Sequence, residues 1–444
     1  MDVGIDGRRS ALRPPIELPG FPEWSPAGVS LERRLIRAIS EGFESHGFRP
    51  LDTAAVQPWS VLTAGDGQYS DGGVGKPIFR VAEPPETDTG ASLGLRYDLT
   101  VPLARHIAER GDTLAFPLSC YQIAKVWRAE IPDLSHAREF YQCDLDVIGR
   151  GELSLFFDAE IACALHAAFE AVGLGDFTVR ISNRRALAAL LAVHGLHNTR
   201  VKAIVQIIDE GGRQPREKTV LQLRDAGVAD AVAEDIGELL SLHTVREARD
   251  LFARRGADQG GLDELETVID AAIGLGMPAG RLRLDFSITR GHDYYTGTVY
   301  ETFVAGREHW GAIGSGGRYD NLLGHVTGER YPGVGVSIGL TRLVGLLLED
   351  ARAGGTAPDE VVVTRGPDAR EGSLLDVVRE LRRRGLPTRV LFDPPADPSV
   401  RADFATLVEV RGDGSCTVRH MPGGQVREVD AGSVAEVVAS GRAS

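Results

Sequence analysis

The feature that most constrains the fold is a pair of alternating runs within residues 121–149, YQIAKVWRAEIPDLSHAREFYQCDLDVIG, which flank a short loop containing Pro132. This arrangement is typical of an antiparallel hairpin, in which successive side chains point to opposite faces of the strand. One face of the second run then carries Arg138, Phe140, Gln142, Asp144 and Asp146. Arg128 and Glu130 share a face of the first run. The sequence therefore predicts an antiparallel sheet with one polar face, which is either a solvated surface with cross-strand ion pairs or a binding surface.

The rest of the chain divides by composition and periodicity into segments of different character. The predicted divisions are an N-terminal arm over residues 1–28, a core over 29–177 and 281–353, a helical insertion over 178–280, and a small α/β domain over 359–444. A helix is expected to begin after Ser30 as its N-cap, and Asp158 is expected to cap another. The last domain is predicted from its β-α-β order, with strands at 361–363 and 389–392 around a helix over 374–384.

Composition restricts the class of protein. The 444 residues carry a formal net charge of −14, which disfavours a polybasic nucleic-acid coat but leaves a local basic groove open. The four cysteines form no C-x-x-C pair, as is usual in a reducing cytoplasm, and they predict neither a zinc site nor a disulfide framework. No apolar run reaches the ~18 residues of a membrane span, and the N-terminus has no signal-peptide core. We therefore expect a cytoplasmic protein with no membrane partner.

Two further segments place charged side chains where a helix begins. In LGLRYDLTVPLAR (93–105), Asp98 and Thr100 precede an apolar helix, and both helix capping and catalysis are open readings of such a pair. In GVGVSIGLTRLVGLLLE (333–349), a buried strand leads into a helix with Arg342 in its first turn. An arginine there faces the positive end of the helix dipole, so anion binding explains it better than helix stability does.

Two glycine-rich segments, RGHDYYTGTVYE (290–301) and GSGGRYDNLLG (314–324), combine arginine with tyrosine. Their notable side chains are Arg290, Tyr294, Tyr295 and Tyr319. Glycines permit close approach to the backbone, and tyrosines line pockets with hydroxyl groups, although glycine-rich strings alone are weak signals.

Three arginines, Arg128, Arg290 and Arg342, stand at junctions between segments and are accompanied by carboxylates. This set suits attack of an amino-acid carboxylate on the α-phosphate of ATP, because fixed guanidinium groups stabilise the charge that builds on the phosphoryl oxygens. Acidic side chains would hold the substrate's ammonium group.

The motifs resemble those of class II aminoacyl-tRNA synthetases of the histidyl kind. WRAEIP with REFYQCDLDVIG resembles class II motif 2, and GVGVSIGLTRLVGLLLE resembles motif 3. RYDLTVPLAR, RGHDYYTGTVYE and GGRYDNLLG are similar to segments of histidyl-tRNA synthetases. The resemblance implies an α+β fold: a class II antiparallel sheet flanked by helices, a helical insertion, and a C-terminal domain similar to the family's anticodon-binding domain but shortened around 393–405.

The resemblance also implies roles for individual residues. For the amino acid's ammonium group it implies Asp98, Thr100 and Gln142, and for the imidazole ring and its surroundings Asp146, Tyr294, Tyr295 and Tyr319. Arg128 and Arg290 would act as the catalytic residues on the carboxylate and the α-phosphate. The side chains implied for the rest of ATP are Arg138, Arg342 and Glu130, the last of these with Mg²⁺. The implied partners are histidine, ATP, tRNA-His and a second copy of the chain in a homodimer.

The chain also departs from the family pattern. Ser135, His136 and Ala137 stand where the motif 2 loop usually has Gly-Arg-Tyr, and LPGFPEWSP (18–26) replaces the N-terminal Lys-Gly-x-Arg-Asp signature. The tail from 359 onward holds no lysine, which makes an RNA-contacting surface there doubtful. The resemblance implies histidyl-adenylate formation and transfer to tRNA-His. The alternatives are a paralogue that activates an amino acid for a non-tRNA acceptor and a non-catalytic regulatory subunit of ATP phosphoribosyltransferase.

Overall fold

The computed structural model describes residues 18–63, 77–83, 90, 92–132, 137–197, 199–211, 214–289, 295–320, 324, 328–354, 361–366, 368–392, 406–420 and 426–441. The chain divides into two compact units, residues 1–344 and residues 345–444.

The first unit is built on one large sheet. The strands of this unit are β1 (Arg49–Pro50), β2 (Val56–Pro58), β3 (Arg80–Val81), β4 (Leu93–Leu95), β5 (Leu118–Trp127), β6 (Glu139–Ile148), β7 (Phe177–Asn183), β8 (Leu282–Leu284), β9 (Thr298–Val304), β10 (Gly314–Tyr319) and β11 (Gly333–Gly339). Eight of them form a sheet in the order β1-β5-β6-β11-β10-β9-β7-β8, and β2, β4 and β3 form a small second sheet. The six strands from β5 to β7 are antiparallel, whereas β1 and β8 pair in parallel at the edges. The predicted hairpin over residues 121–149 is therefore confirmed as β5 and β6.

Helices flank this sheet and make up the stretch of sequence between β7 and β8. They are α1 (Pro26–Ser45), α2 (Trp59–Leu62), α3 (Thr100–Arg110), α4 (Phe156–Ala171), α5 (Arg184–Val193), α6 (Thr199–Gly211), α7 (Arg216–Asp225), α8 (Asp230–Leu239), α9 (Val245–Arg255), α10 (Gly260–Gly274) and α11 (Leu340–Gly354). Helices α5 to α10 correspond to the predicted helical insertion. The predicted α+β class, an antiparallel sheet flanked by helices, is confirmed. Within the described ranges, no helix has both the length and the apolarity needed to span a membrane.

The two faces of the sheet differ in chemistry. On one face, Leu145 of β6 and Val336 of β11 are buried, and α4 packs against both strands. We call the opposite side the front face; it is defined by the β6 residues Gln142, Asp144 and Asp146 and by their β11 partners Gly339, Ser337 and Gly335. Residues that lie directly opposite each other in a sheet project to the same side, so the polar residues of β6 stand beside a strand of glycine and serine.

Two helix starts differ from the sequence-based expectation. Helix α1 begins at Pro26, and the Ser25 side chain accepts a hydrogen bond from the Gly28 amide, so Ser30 lies inside the helix. Proline at the first helical position has no amide hydrogen to leave unsatisfied, which favours this earlier start. Asp158 lies in the first turn of α4 but does not cap it, since the N-cap is Leu155. The predicted insertion also begins with a strand, because 178–183 belongs to β7 of the main sheet.

Asp158 instead forms a buried ion pair with Arg318 of β10. The Arg318 Nη2 nitrogen lies 2.5 Å from Asp158 Oδ2, and its Nε nitrogen also donates to the carboxylate. Arg318 further donates to the carbonyl oxygens of Leu153 and Ser154. The ion pair therefore joins the helix start to the sheet and satisfies the buried guanidinium group.

The second unit is a five-stranded sheet with two helices. Its elements are β12 (Val361–Arg365), α12 (Glu371–Arg383), β13 (Thr388–Leu391), β14 (Thr406–Val410), β15 (Ser415–His420), β16 (Val426–Asp430) and α13 (Val434–Gly441). The sheet order is β13-β12-β14-β15-β16, with β12 parallel to β13 and to β14. The predicted β-α-β order is confirmed, and Val363, Leu374 and Val378 contribute to the core between the helices and the sheet.

Candidate active site

Glycines on β11 let two polar side chains lie flat across the front face. A Cβ atom added at Gly335 would lie 2.8 Å from Cγ of Asp146, and one added at Gly333 would lie 2.8 Å from the hydroxyl oxygen of Tyr319. Both distances are shorter than van der Waals contact, so only glycine leaves room for these side chains. The sequence signal for this arrangement is the alternation of glycine along GVGVSIG.

Asp146 and Tyr319 form a buried hydrogen-bonded pair. The Tyr319 hydroxyl donates to Asp146 Oδ1 at 2.7 Å. Tyr319 is 1% exposed and Asp146 is 4% exposed. Burial raises the pKa of Asp146 to about 7, the charge of Asp98 also raises it, and the Tyr319 hydrogen bond opposes the rise. Asp146 is therefore poised between its neutral and ionised forms near neutral pH.

Asp98 is buried at the start of α3. Its Oδ1 atom accepts a hydrogen bond at 3.0 Å from the amide of Val101, in the first turn of α3, whose N-cap is Leu99. Its Oδ2 atom is buried and has no hydrogen-bond partner among the described residues. Burial raises the pKa of Asp98 to about 6, although the Val101 bond and the charge of Arg128 lower it. One carboxylate oxygen of Asp98 therefore satisfies an amide of the first helical turn, and the other does not.

Two side chains of β6 also have a buried acceptor atom that is unpaired within the described ranges, like Oδ2 of Asp98. Gln142 Oε1 and Asp144 Oδ1 are buried and lack a hydrogen-bond partner within the part of the chain that the structure describes. Buried polar atoms are almost always paired in folded proteins, so these acceptors are available to a bound water or a ligand. Sequence reasoning placed Asp144 on this face but assigned it no role.

Tyr295 joins this group through β10. A Cβ atom added at Gly317 would lie 3.1 Å from Cδ1 of Tyr295, so the tyrosine ring packs over this glycine. Gly317 is the cross-strand partner of Gly335, over which the Asp146 carboxyl lies. The structure therefore places Tyr295 next to Asp146 and Tyr319. Arg290 and Tyr294 lie outside the described residues.

The arginines of the hairpin lie at the end of the sheet where its loop begins. The Arg128 amide donates to the Arg138 carbonyl at 2.9 Å, and the Arg128 guanidinium lies 5.0 Å from the Phe140 ring. The Arg138 guanidinium lies 4.8 Å from the Phe79 ring and 5.5 Å from the Phe21 ring. Glu130 is half-buried and follows Arg128 in the same loop segment.

The N-terminal segment contributes to this end of the sheet, which sequence reasoning did not foresee. The Gly20 carbonyl accepts a hydrogen bond from the Arg138 amide at 2.6 Å, and the Phe21 ring stacks edge-on against Phe79. The segment that replaces the family's N-terminal signature therefore packs against Arg138. Its sequence signal was the Pro-Gly-Phe-Pro string, whose partner could not be known in advance.

Arg342 approaches the same end of the sheet from β11. The last residue of that strand, Gly339, pairs with Gln142, and the Thr341 hydroxyl accepts a hydrogen bond from the Tyr141 amide at 2.9 Å. Helix α11 thus begins beside the start of β6. The Arg342 Nη1 nitrogen donates to the Ala312 carbonyl at 2.6 Å, which fixes the guanidinium group. Arg128, Arg138 and Arg342 therefore all lie toward the end of the sheet at which β6 begins.

No group of three or more His, Cys, Asp or Glu side chains with metal-binding geometry occurs among the described residues. Glu130 is the carboxylate that the resemblance implies for Mg²⁺, and phosphate oxygens of a nucleotide would be its companions. Mg²⁺ in nucleotide-binding enzymes is commonly held in this way, by one or two carboxylates together with phosphate oxygens and water.

Comparison with known proteins agrees with this geometry. The family model described as "Histidyl-tRNA synthetase" matches residues 20–343. The histidine–tRNA ligase of Nostoc sp. (strain PCC 7120 / SAG 25.82 / UTEX 2576) is 38% identical over 383 residues, which cover 83% of each chain. The crystal structure of histidyl-tRNA synthetase from Nostoc sp. PCC 7120 is 33% identical, covers 96% of this chain and 100% of that one, and superposes with a TM-score of 0.78.

A structure titled as an ATP phosphoribosyltransferase regulatory subunit/histidyl-tRNA synthetase from Bacillus halodurans C is also similar, with a TM-score of 0.67 over 89% of this chain and 98% of that one. At 20% identity it shows a shared fold only. The match to the family model and the identity to the Nostoc relative extend over most of the chain. The chain therefore belongs to the histidyl-tRNA synthetase family.

Proposed function

We infer that this chain is a histidine–tRNA ligase, which activates histidine with ATP to histidyl-adenylate and transfers the histidyl group to tRNA-His. The observation that carries the inference is the buried Asp146–Tyr319 pair, which lies on a glycine strand beside the unpaired acceptors of Asp98 and Gln142. A small ligand with a polar ring at one end and an ammonium group at the other fits this set of groups. Histidine has both.

We assign recognition of the ring to Asp146, Tyr319 and the tyrosines at 294 and 295. Ionised Asp146 accepts a hydrogen bond from an imidazole N–H, and the Tyr319 hydroxyl holds the carboxylate in position. We assign the ammonium group to Asp98, Gln142 and Thr100. An apolar analogue would leave these buried polar groups unpaired, and sites of this kind reject such analogues strongly.

In the first step, a carboxylate oxygen of histidine attacks the α-phosphorus of ATP. A bond forms between that oxygen and phosphorus, the bond from the α-phosphorus to the bridging oxygen breaks, and pyrophosphate leaves with the electron pair. We assign Arg128 and Arg290 to the carboxylate and the α-phosphate, where fixed cations stabilise the developing charge. Arg138 and Arg342 bind the rest of ATP, and the Ala312 carbonyl restricts Arg342 to its position.

Mg²⁺ would bind through Glu130, phosphate oxygens and water, and would supply positive charge between the phosphates. A single carboxylate suits such a site, because Mg²⁺ usually keeps several waters and takes phosphate oxygens of the substrate as ligands.

We propose the following division of labour along the chain. Residues 29–177 and 281–353 form the catalytic core, 178–280 the helical insertion, 1–28 an N-terminal arm, and 359–444 a shortened anticodon-binding-like domain. We also propose that the active form is a homodimer. All four cysteines are free and buried, which fits work in the reducing cytoplasm.

The test is ATP–pyrophosphate exchange with each of the twenty amino acids, followed by charging of a tRNA-His transcript. Exchange that depends on histidine alone, together with charging, supports the ligase. Exchange without charging would point to a non-tRNA acceptor, and absence of exchange would point to a regulatory subunit. Arg128→Ala and Arg290→Ala should abolish exchange, whereas Arg246→Ala, on the exposed side of α9, should not. Full exchange in Arg290→Ala would refute the role assigned to that residue.

A further inference from the structure

Asp144 lies in the middle of the front face and is buried without an apparent structural need. It is 4% exposed, lies between Gln142 and Asp146 on β6, and has Gln122 of β5 and Ser337 of β11 as its cross-strand partners. Serine or glycine stands at the equivalent front-face positions of β11, so the fold tolerates small uncharged side chains there. An acid in this place requires a reason.

The local electrostatics oppose an acid at this position. Burial is the largest cause of the raised pKa of Asp144, and the charges of Asp146 and Asp98 raise it further. The Ser337 hydrogen bond and the charge of Arg128 only reduce the effect. Three carboxyl groups held close together in a buried place cost folding free energy whenever they are ionised.

The buried guanidinium group of Arg96, which interacts electrostatically with Asp144, does not explain why an acid stands at this position either. Arg96 stabilises the ionised carboxylate electrostatically. However, its Nε nitrogen donates to the Lys125 carbonyl at 2.9 Å, and its Nη1 nitrogen donates to the Thr53 carbonyl at 2.5 Å. These bonds hold the backbone around β5, so Arg96 has a structural role of its own that does not require Asp144.

The unpaired atoms indicate the missing partner. Asp98 Oδ2, Gln142 Oε1 and Asp144 Oδ1 are all buried, all acceptors, and all without a hydrogen-bond partner among the residues that the structure describes. The complement of three acceptors is a group with three donors and a positive charge. An ammonium group has this composition.

We propose that Asp144 binds the substrate directly, by accepting one N–H of its α-ammonium group while Asp98 and Gln142 accept the other two. This inference rests on the proposed function, since it takes histidine as the ligand. Thr100 stays in the ammonium site, and its hydroxyl can also donate to one of the carboxylates. The ammonium charge also offsets the repulsion among the three carboxyl groups, so the empty site is the strained state and the occupied site the relaxed one.

The test compares two ligands that differ only in the ammonium group. L-Histidine and 3-(imidazol-4-yl)propionate are titrated against the wild-type protein, Asp144→Asn and the control Asp112→Asn, whose side chain is 94% exposed. Asp144→Asn should weaken histidine binding about 10- to 100-fold, the range for a lost hydrogen bond between charged groups. The Kd for imidazolepropionate should change less than about 3-fold, because that ligand has no ammonium group for Asp144 to hold.

Thermal unfolding provides the second readout. The Tm of Asp144→Asn should equal or exceed that of the wild type, because an amide of the same shape replaces a buried acid. If the asparagine variant does not fold, Asp144→Ala is titrated in its place with the same expectation for the two ligands. A purely structural role predicts a lower Tm and similar losses for both ligands, and either result would overturn the proposal.

The outcomes also distinguish failure of this proposal from failure of the proposed ligase function on which it rests. Wild-type protein that shows no histidine-dependent exchange would overturn both. Normal exchange in the wild type with an unchanged Kd for histidine in Asp144→Asn would overturn the role of Asp144 alone. An equal loss of affinity for histidine and imidazolepropionate would place Asp144 on the ring or in the scaffold, and would also overturn it.

Discussion

Tyr319→Phe should shift the pH dependence of histidine activation. The substitution removes the hydroxyl that donates to Asp146 Oδ1 at 2.7 Å and keeps the aromatic ring that packs over Gly333. A hydrogen bond to a carboxylate stabilises its ionised form, and the Tyr319 bond lowers the pKa of Asp146. Its loss should therefore raise that pKa, so a higher pH is needed to ionise the group that accepts the imidazole N–H.

The size of the shift follows from the strength of the bond. A hydrogen bond to a charged group contributes about 1.5–3 kcal/mol, and one pKa unit corresponds to about 1.4 kcal/mol, so the expected rise is about one to two units. From its value of about 7, the pKa of Asp146 would move to about 8 or 9. At pH 7 the ionised fraction of Asp146 would then fall from about one half to about one-tenth or one-hundredth. The kcat/KM for histidine should fall with it, by about 5- to 50-fold.

The assay is kcat/KM for histidine in ATP–pyrophosphate exchange between pH 6 and 10. Titration of free histidine is common to both proteins and cancels in the ratio of variant to wild type. That ratio should be lowest at the acid end of the range, begin to rise above about pH 7, and recover above about pH 9. Tyr331→Phe is the matched control, since Tyr331 is also buried but its hydroxyl donates to Glu329. A Tyr319→Phe profile with an unshifted acid limb would refute the reasoning.

The same pKa has a consequence for stability. The unfolded pKa of an aspartate is about 3.9, and the folded pKa of Asp146 is about 7, so the folded protein binds the proton more tightly. The contribution of this group to the free energy of unfolding is therefore fully present below about pH 4 and declines as pH rises toward 7. Tyr319→Phe should extend the decline to higher pH, which urea unfolding at pH 5 and pH 8 would reveal.

Three further substitutions test other parts of the structure. Arg318→Met leaves Asp158 buried without its partner and should lower the free energy of unfolding by about 3–5 kcal/mol, measured by urea denaturation; a loss below about 1 kcal/mol would contradict the buried pair. Gly335→Ala places a Cβ atom 2.8 Å from Cγ of Asp146 and should lower kcat/KM for histidine about 100-fold in the exchange assay, and a near-normal value would mean that Asp146 is placed wrongly. Thr244→Ala removes a capping box at the start of α9 and should lower the free energy of unfolding by about 1 kcal/mol with exchange activity intact; an unchanged Tm would show that the cap contributes nothing.

Local patterns in the sequence predicted the elements that carry the chemistry. The alternation of residues 139–148 identified a strand with Gln142, Asp144 and Asp146 on one face, because side-chain direction in a strand repeats every two residues. The β-α-β order of the C-terminal unit followed from equally local signals. For Asp98, local sequence allowed capping or catalysis, and the structure shows one oxygen bonded to the Val101 amide and the other without a partner among the described residues.

The partners of these elements were decided by the tertiary structure alone. Nothing local indicates that Asp158 pairs with Arg318, 160 residues later, or that Gly20 receives the Arg138 amide. The lack of a hydrogen-bond partner for Asp144 Oδ1 within the described ranges also becomes apparent only when every surrounding strand is in register. The physical reason is that periodicity specifies the direction of each side chain, whereas pairing and burial depend on which distant segments the folded chain brings together.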